Sequence, residues 1–405
     1  MKSQNRNRFA FASSALALAA GTWAVVAGPL TPPAGPVAST YKTLTEVEPR
    51  TNVQSLAGTA NTRHLITQPG SYYLSANVVG AAGFNGIVIG ADNVTLDLNG
   101  FAVLGAAGSA SGIQVSGTRS NITIKDGTVR GWGAGGIVAS DDAGVIVSDV
   151  TASNNTGGYG IQLGNGAVVT GCTVSFNSLG GLRAAEGATV TGCTSADNTG
   201  DGFFISSAGA SNALAGVLSG CTAARNSGNG FTSTNSSVVN CNASFNGANG
   251  FSVINASVAN CWARANTLSG FVGATTQFDS CATRSNGTHG FEVTEGALLR
   301  DCVARGNFGG DGINAAREVT ILTCHLEDNG VGIRVTGVQC RVEGCTLASS
   351  TTGLVVTGTG NIIVGNRASV NTTNYNIAAS NTVGTIVTGS AALNAATNSL
   401  VNVSY

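Results

Sequence analysis

The chain is poor in charge. Only 10% of its 405 residues are Asp, Glu, Lys or Arg, and the formal net charge is -1. That balance gives no electrostatic footprint for nucleic acid or an anionic membrane surface. Proline occurs six times, always between Pro29 and Pro69, so no later strand carries a residue that interrupts its hydrogen-bond ladder. After Ala27 no apolar run reaches the roughly 20 residues of a membrane-spanning helix. Glycine is abundant instead, with 58 residues. A length of 405 suggests two or three ordinary domains, but a repeat protein grows by adding coils to one core.

The beginning reads as an export signal. Lys2, Arg6 and Arg8 precede an apolar stretch from Phe9 to Ala27, and Val25 and Ala27 are small enough for cleavage before Gly28. An uncleaved membrane anchor is the rival reading. The expected organisation is a signal peptide over 1–27, a linker and capping segment over 28–80, and a repeat domain over 81–405. Export implies an extracellular, periplasmic or cell-surface location.

The repeat is marked by cysteine. Cys172, Cys193, Cys221, Cys241, Cys261, Cys281, Cys302, Cys324 and Cys345 are 20 to 22 residues apart, save one gap of 28. Five residues after each of the first eight stands an Asn, from Asn177 to Asn329. A Gly and a large apolar residue follow, from Gly181-Leu182 through Gly250-Phe251 to Gly332-Ile333. Another apolar residue precedes each Cys by three. This period fits one turn of a parallel β-helix. The predicted fold is all-β, a right-handed parallel β-helix of about 14 coils at roughly 21 residues each, about 65 Å long at the usual strand spacing. Cys and the residue two later share an inward face, because side chains alternate along a strand. The Gly is expected to supply an unusual φ at a bend, and the Asn a turn in the left-handed region. Stacked amides and stacked rings are expected to form an asparagine ladder and an aromatic core.

An exported chain with ten Cys ordinarily suggests disulfides. Here the ladder thiols would lie about 4.8 Å apart along the axis and aim alike, whereas a disulfide brings Cβ atoms to about 3.5–4.5 Å. Inert core thiols are expected. A linear column cannot surround a metal ion, and the single stretch Gly309 to Asn314 lacks the tandem copies of a calcium-binding repeat. No metal or cofactor is implied. Cys340 lies off the ladder and is expected to be the accessible thiol.

Outward columns can carry function. Three residues after the ladder Cys come Arg264, Arg284 and Arg305 in consecutive coils, then Glu327; one residue after come Trp262 and His325. Guanidinium groups grip carboxylate and sulfate in a fork, and an indole offers a flat stacking face. This row is the candidate binding site for an acidic polysaccharide or another envelope glycan, with an ordinary solvated face as the alternative. A second column, Asp201, Asn229, Asn249, Ser269, His289 and Asp311, precedes the bend Gly and is expected to face outward. His289 and Asp311 are its candidate acid–base pair. Asp126 and Arg130, near Trp132, are the remaining catalytic candidates.

From Gly86 to about Asn376 the repeat resembles the pectin-lyase-like superfamily of right-handed β-helices. The stretch from Gly28 through Tyr41 to Arg50, with Gln68 to Leu74, resembles the N-terminal part of an uncharacterised family of exported bacterial β-helix proteins. The superfamily implies polysaccharide lyases, hydrolases, epimerases or non-catalytic surface proteins. No motif of pectate lyases, polygalacturonases or pectin methylesterases is present. The function expected is an exported, non-catalytic, glycan-contacting or envelope rod; the alternative is a polysaccharide-active enzyme. Nothing in the sequence sets an oligomeric state.

Overall fold

A computed structural model describes residues 47–205, 214–388 and 400–405. The predicted signal over 1–27 lies outside them, as does most of the uncharged insertion Ser206–Ala215. Two units divide the chain, Met1–Pro49 and Arg50–Tyr405, and the second holds the coils.

Fifteen parallel strands form one sheet, from Thr62–Ile66 to Thr373–Ile377. A second, 30-stranded sheet supplies two further short strands per coil on average. Each strand pairs with its counterpart one coil on, as in Cys-flanking strands Asn242–Ser244, Trp262–Arg264 and Ala282–Arg284. The chain is therefore a right-handed parallel β-helix of about 15 turns, one more than the repeats predict. The stack starts at Thr51, which pairs with Tyr72, well before the predicted boundary at residue 81. No helix among the described residues is long and apolar enough to cross a membrane.

Three corners turn each coil, and each uses one left-handed residue. In one coil these are Asn235, Asn240 and Phe245, with φ of 48°, 55° and 57°. The ladder Asn is not the left-handed residue, contrary to expectation; the residue before it is. The Asn itself is buried, where its amide can bond in two directions at once. Asn246 Oδ1 accepts from the backbone N–H of Asn226 at 3.1 Å, and Asn246 Nδ2 donates to Asn266 Oδ1 at 2.9 Å and to the Ala223 carbonyl at 3.2 Å. The ladder starts one coil earlier than the Cys pattern shows, at Asn155, which accepts the N–H of Trp132. It ends through Ser350 and Asn371.

The bend Gly also has a different cause. Gly250 has no left-handed φ; a Cβ there would stand 2.6 Å from the Gly270 carbonyl and 2.9 Å from Asn266 Nδ2. Its bareness lets the backbone pass over the Asn ladder of the next coil.

The core is continuous. Phe203, Phe231, Phe251, Phe271 and Phe291 stack with ring centroids 4.7 to 5.0 Å apart. All ten thiols are free and buried. Cys340, expected to be accessible, is only 2% exposed. It sits one corner away from the main Cys column, in line with Val319, and its N–H donates to Asn361 Oδ1 at 2.8 Å. Hydrogen bonding between neighbouring thiols, with burial, pushes Cys261, Cys281 and Cys302 up to about 12.

Candidate functional site

Side chains one and three residues after each Cys leave the core because the residue between them, Ala263 in one coil and Ala304 in another, is fully buried. Parallel pairing without a register shift then stacks like positions. Arg264 lies beside Arg284, Arg284 beside Arg305, and Arg305 beside Glu327. Trp262, 41% exposed, occupies the neighbouring column with Ala282, Val303 and His325.

The row is electrostatically graded. Arg305 Nε lies 3.5 Å from Glu327 and 3.4 Å from Asp328, so its charge is partly compensated. His325 Nε2 is 3.9 Å from Glu327. Arg264 and Arg284 take part in no ion pair among the described residues. The Arg264 guanidinium instead lies 5.9 Å from the centre of the exposed Phe245 ring. At the other end Phe308 lays its ring against Gly306, within 3.6 Å of where a Cβ would stand. Phe245 and Phe308 were not legible as site residues, since no ionisable group or motif marks them. Their position at the corner next to the Arg strands is the only sequence signal.

The second column is not an outward functional face. Ser269 and Asp311 are buried, Asp311 at 4% exposure. The column forms another ladder. Asn229 N–H donates to Asp201 Oδ1 at 2.7 Å, Asn249 N–H to Asn229 Oδ1 at 3.0 Å, and Ser269 N–H to Asn249 Oδ1 at 3.0 Å. Here the later coil donates to the earlier one, the reverse of the main Asn ladder. His289 continues it: its Nδ1 accepts the Asp311 N–H at 3.0 Å. The Asp311 carboxylate is 3.6 Å from Nδ1 but is held in a two-point contact by Arg334, at 2.8 and 3.1 Å. An acid–base dyad needs the carboxylate to accept Nδ1–H. This pair has the opposite polarity and reads as structural.

Asp126 and Arg130 are likewise apart in role. Asp126 has φ of 60° and pairs with Lys125 at 2.6 Å, whereas Arg130 is exposed at the end of its strand. Trp132 is fully buried, donating from Nε1 to the Val103 carbonyl at 2.9 Å. Lys125 also reaches Asp97 at 3.1 Å, and Arg50 reaches Asp97 at 2.8 Å while lying over the Tyr73 ring. Burial pushes the Asp97 carboxyl up, but the Asn99 N–H and Lys125 outweigh it and hold the group below the usual carboxylate range. Its hydrogen bonds to Asp126 and Asp97 raise Lys125.

Among the described residues no three His, Cys, Asp or Glu side chains are grouped to hold a metal ion. A groove of about 480 Å³ lies along the corner of Ser236, Ala256 and Gln277 and has no ionisable lining group.

Residues 66–217 match the family model described as a right-handed β-helix region. No curated protein matches the chain. Among solved structures it is similar to the A-module of the mannuronan C-5 epimerase AlgE4 of Azotobacter vinelandii, at 16% identity over 82% of this chain and 99% of that one, with a TM-score of 0.45. It is also similar to the catalytic unit of a GH87 α-1,3-glucanase from Streptomyces thermodiastaticus strain HF3-3, at 11% identity over 88% and 67%, TM-score 0.39. A tailspike protein, gp49 of Acinetobacter baumannii bacteriophage Fri1, is similar at 11% identity over 73% and 56%, TM-score 0.34. At these identities the likeness is one of fold.

Proposed function

We propose that this protein is an exported, non-catalytic rod that contacts an acidic polysaccharide along Trp262, Arg264, Arg284 and Arg305. The observation that carries this reading is the register of the row. Three Arg residues occupy registered positions on adjacent strands, their backbones roughly one strand spacing apart. Two of them are free of ion pairs among the described residues. Like charges at this distance repel by about 1 kcal/mol per pair even in water. An anionic polymer lying along the rod relieves that repulsion and gains forked hydrogen bonds. Export rests on the basic and apolar start of the sequence.

The test is a screen of the purified protein against polygalacturonate and an uncharged β-glucan, recording retention and new reducing or unsaturated ends together. Salt-sensitive retention of the polyuronate without products is the expected result. Arg264→Ala with Arg284→Ala should abolish most of it; unchanged retention in that variant rejects the reading.

A second reading, a polysaccharide-active enzyme, has one observation in its favour. Lys125 lies between two carboxylates, with Arg50 and Tyr73 close by, so charged groups of both signs are gathered in the first coils. Products that vanish in Lys125→Met would establish it and displace the first reading.

A further inference from the structure

We infer that the corner beside the Arg row is a stacking track for a long glycan chain running parallel to the rod axis, with contact points three coils apart. This rests on the glycan-contacting reading and extends it from a patch to a polymer.

Every coil in the Cys repeat turns through left-handed residues, a conformation that costs any side chain with a Cβ and suits Gly, Asn and Asp. At the corner just before each ladder Cys the left-handed residues include Gly192, Asn240, Asn260 and Asp301. At the next corner upstream they include Gly187, Asn235, Asn255 and Gly296. Both corners use small or polar residues throughout. The third corner, four residues after each Cys, differs. Beside Asp197, Ala265, Ser285, Asp328 and Ser349 it places Phe176, Arg225 and Phe245 in the left-handed region, with φ of 53° to 57°.

More than half of each of the two Phe residues lies in solvent. Phe176 is 59% exposed and Phe245 is 56% exposed. In the coil of Arg305 the corner residue is Gly306, and Phe308, 76% exposed, covers it with its ring. An aromatic face is thus presented again at the same corner by another route. Strained backbone that persists without a packing reason points to a function for the side chain.

The spacing is regular. Phe176, Phe245 and Phe308 belong to the coils of Cys172, Cys241 and Cys302, the first, fourth and seventh of the Cys repeat. Corner N–H groups bond directly to the next coil, as Phe245 N–H does to the Arg264 carbonyl at 3.0 Å. The rings therefore recur about every 14 Å and span about 29 Å. Arg264 and Arg284 lie between the second and third rings, so cations and stacking faces share one line. A polyanion with apolar sugar faces is the ligand chemistry this line recognises: rings take the sugar faces, guanidiniums the anionic groups. A protein partner would need no such repeat.

The test uses the full chain and polygalacturonate of graded length, from trimers to polymer. Phe176→Asn, Phe245→Asn and Phe308→Ser are made singly and together. Each single change should weaken binding of long chains roughly three- to tenfold, and Phe176→Asn, four coils away from Arg264, should leave trimer binding at the Arg row unchanged. Phe176→Asn and Phe245→Asn should also leave Tm equal or higher, because Asn accepts the left-handed region and no buried contact is lost. Lower Tm in those variants would show that the rings serve packing and overturn the inference. Wild-type binding of long chains by the triple variant, with loss in Arg264→Ala/Arg284→Ala, would overturn the track but keep the patch. No retention by the wild type at any length would overturn both.

Discussion

Gly273 and Phe278 are shaped to one another. A Cβ on Gly273 would stand 2.7 Å from the Phe278 ring, which is buried edge-on between Phe271 and Phe291 at 5.7 Å from each. The coils on either side place Val253 and Val293 in the Gly273 column, and Val258 and Leu299 in the Phe278 column. This coil has moved bulk from one inner face to the other.

Gly273→Val alone should therefore overpack the core and cost about 1–3 kcal/mol or more. Phe278→Val alone should leave a cavity and cost about 2–4 kcal/mol. Together they rebuild the neighbouring coils' arrangement, so urea titrations should give a double-variant cost well below the sum.

Asn246 is the clearest test of the ladder. Asn246→Leu removes donors and acceptors to Asn226, Asn266 and the Ala223 carbonyl in a buried site. Each stranded group costs about 1–3 kcal/mol. Chemical denaturation should show a larger loss than for Asn242→Leu, which is exposed on the outer face of an adjacent strand.

The thiol column predicts an alkaline limit. Cys261, Cys281 and Cys302 are held near 12 in the folded chain against about 8.5 when unfolded. Their folded pKa is raised, so their contribution is complete below about pH 8.5 and is lost as pH rises toward 12. Urea midpoints measured under reductant should fall steeply between these limits. At neutral pH no cysteine, Cys340 included, should react with a thiol reagent before unfolding.

Asp97 predicts an acid limit of opposite sign. Its carboxyl is held low by Asn99 and Lys125, so its contribution is present above the unfolded value near 3.9 and lost as pH falls through the folded one. Asp97→Asn should cost about 1–3 kcal/mol at pH 7 and flatten the acid limb of a stability–pH curve, compared with the wild type.

Much of this molecule is legible in its amino-acid order, for one physical reason. A coil that stacks on its own copies repeats each environment, so Cys, Asn, Gly and Phe recur in phase, and alternation along a strand assigns Arg264 and Trp262 to the outside. Tertiary structure alone decided the corners. Whether the column of His289 and Asp311 turns out or in depends on the path of the backbone around a bend, where strand alternation no longer applies. There the reverse ladder draws Asp311 under Arg334 and makes His289 an acceptor. The same path places Cys340 inside and Phe245 outside. The reason for the bend glycines was equally hidden: Gly250 answers to the Asn ladder of the following coil, a contact between residues that only stacking brings together.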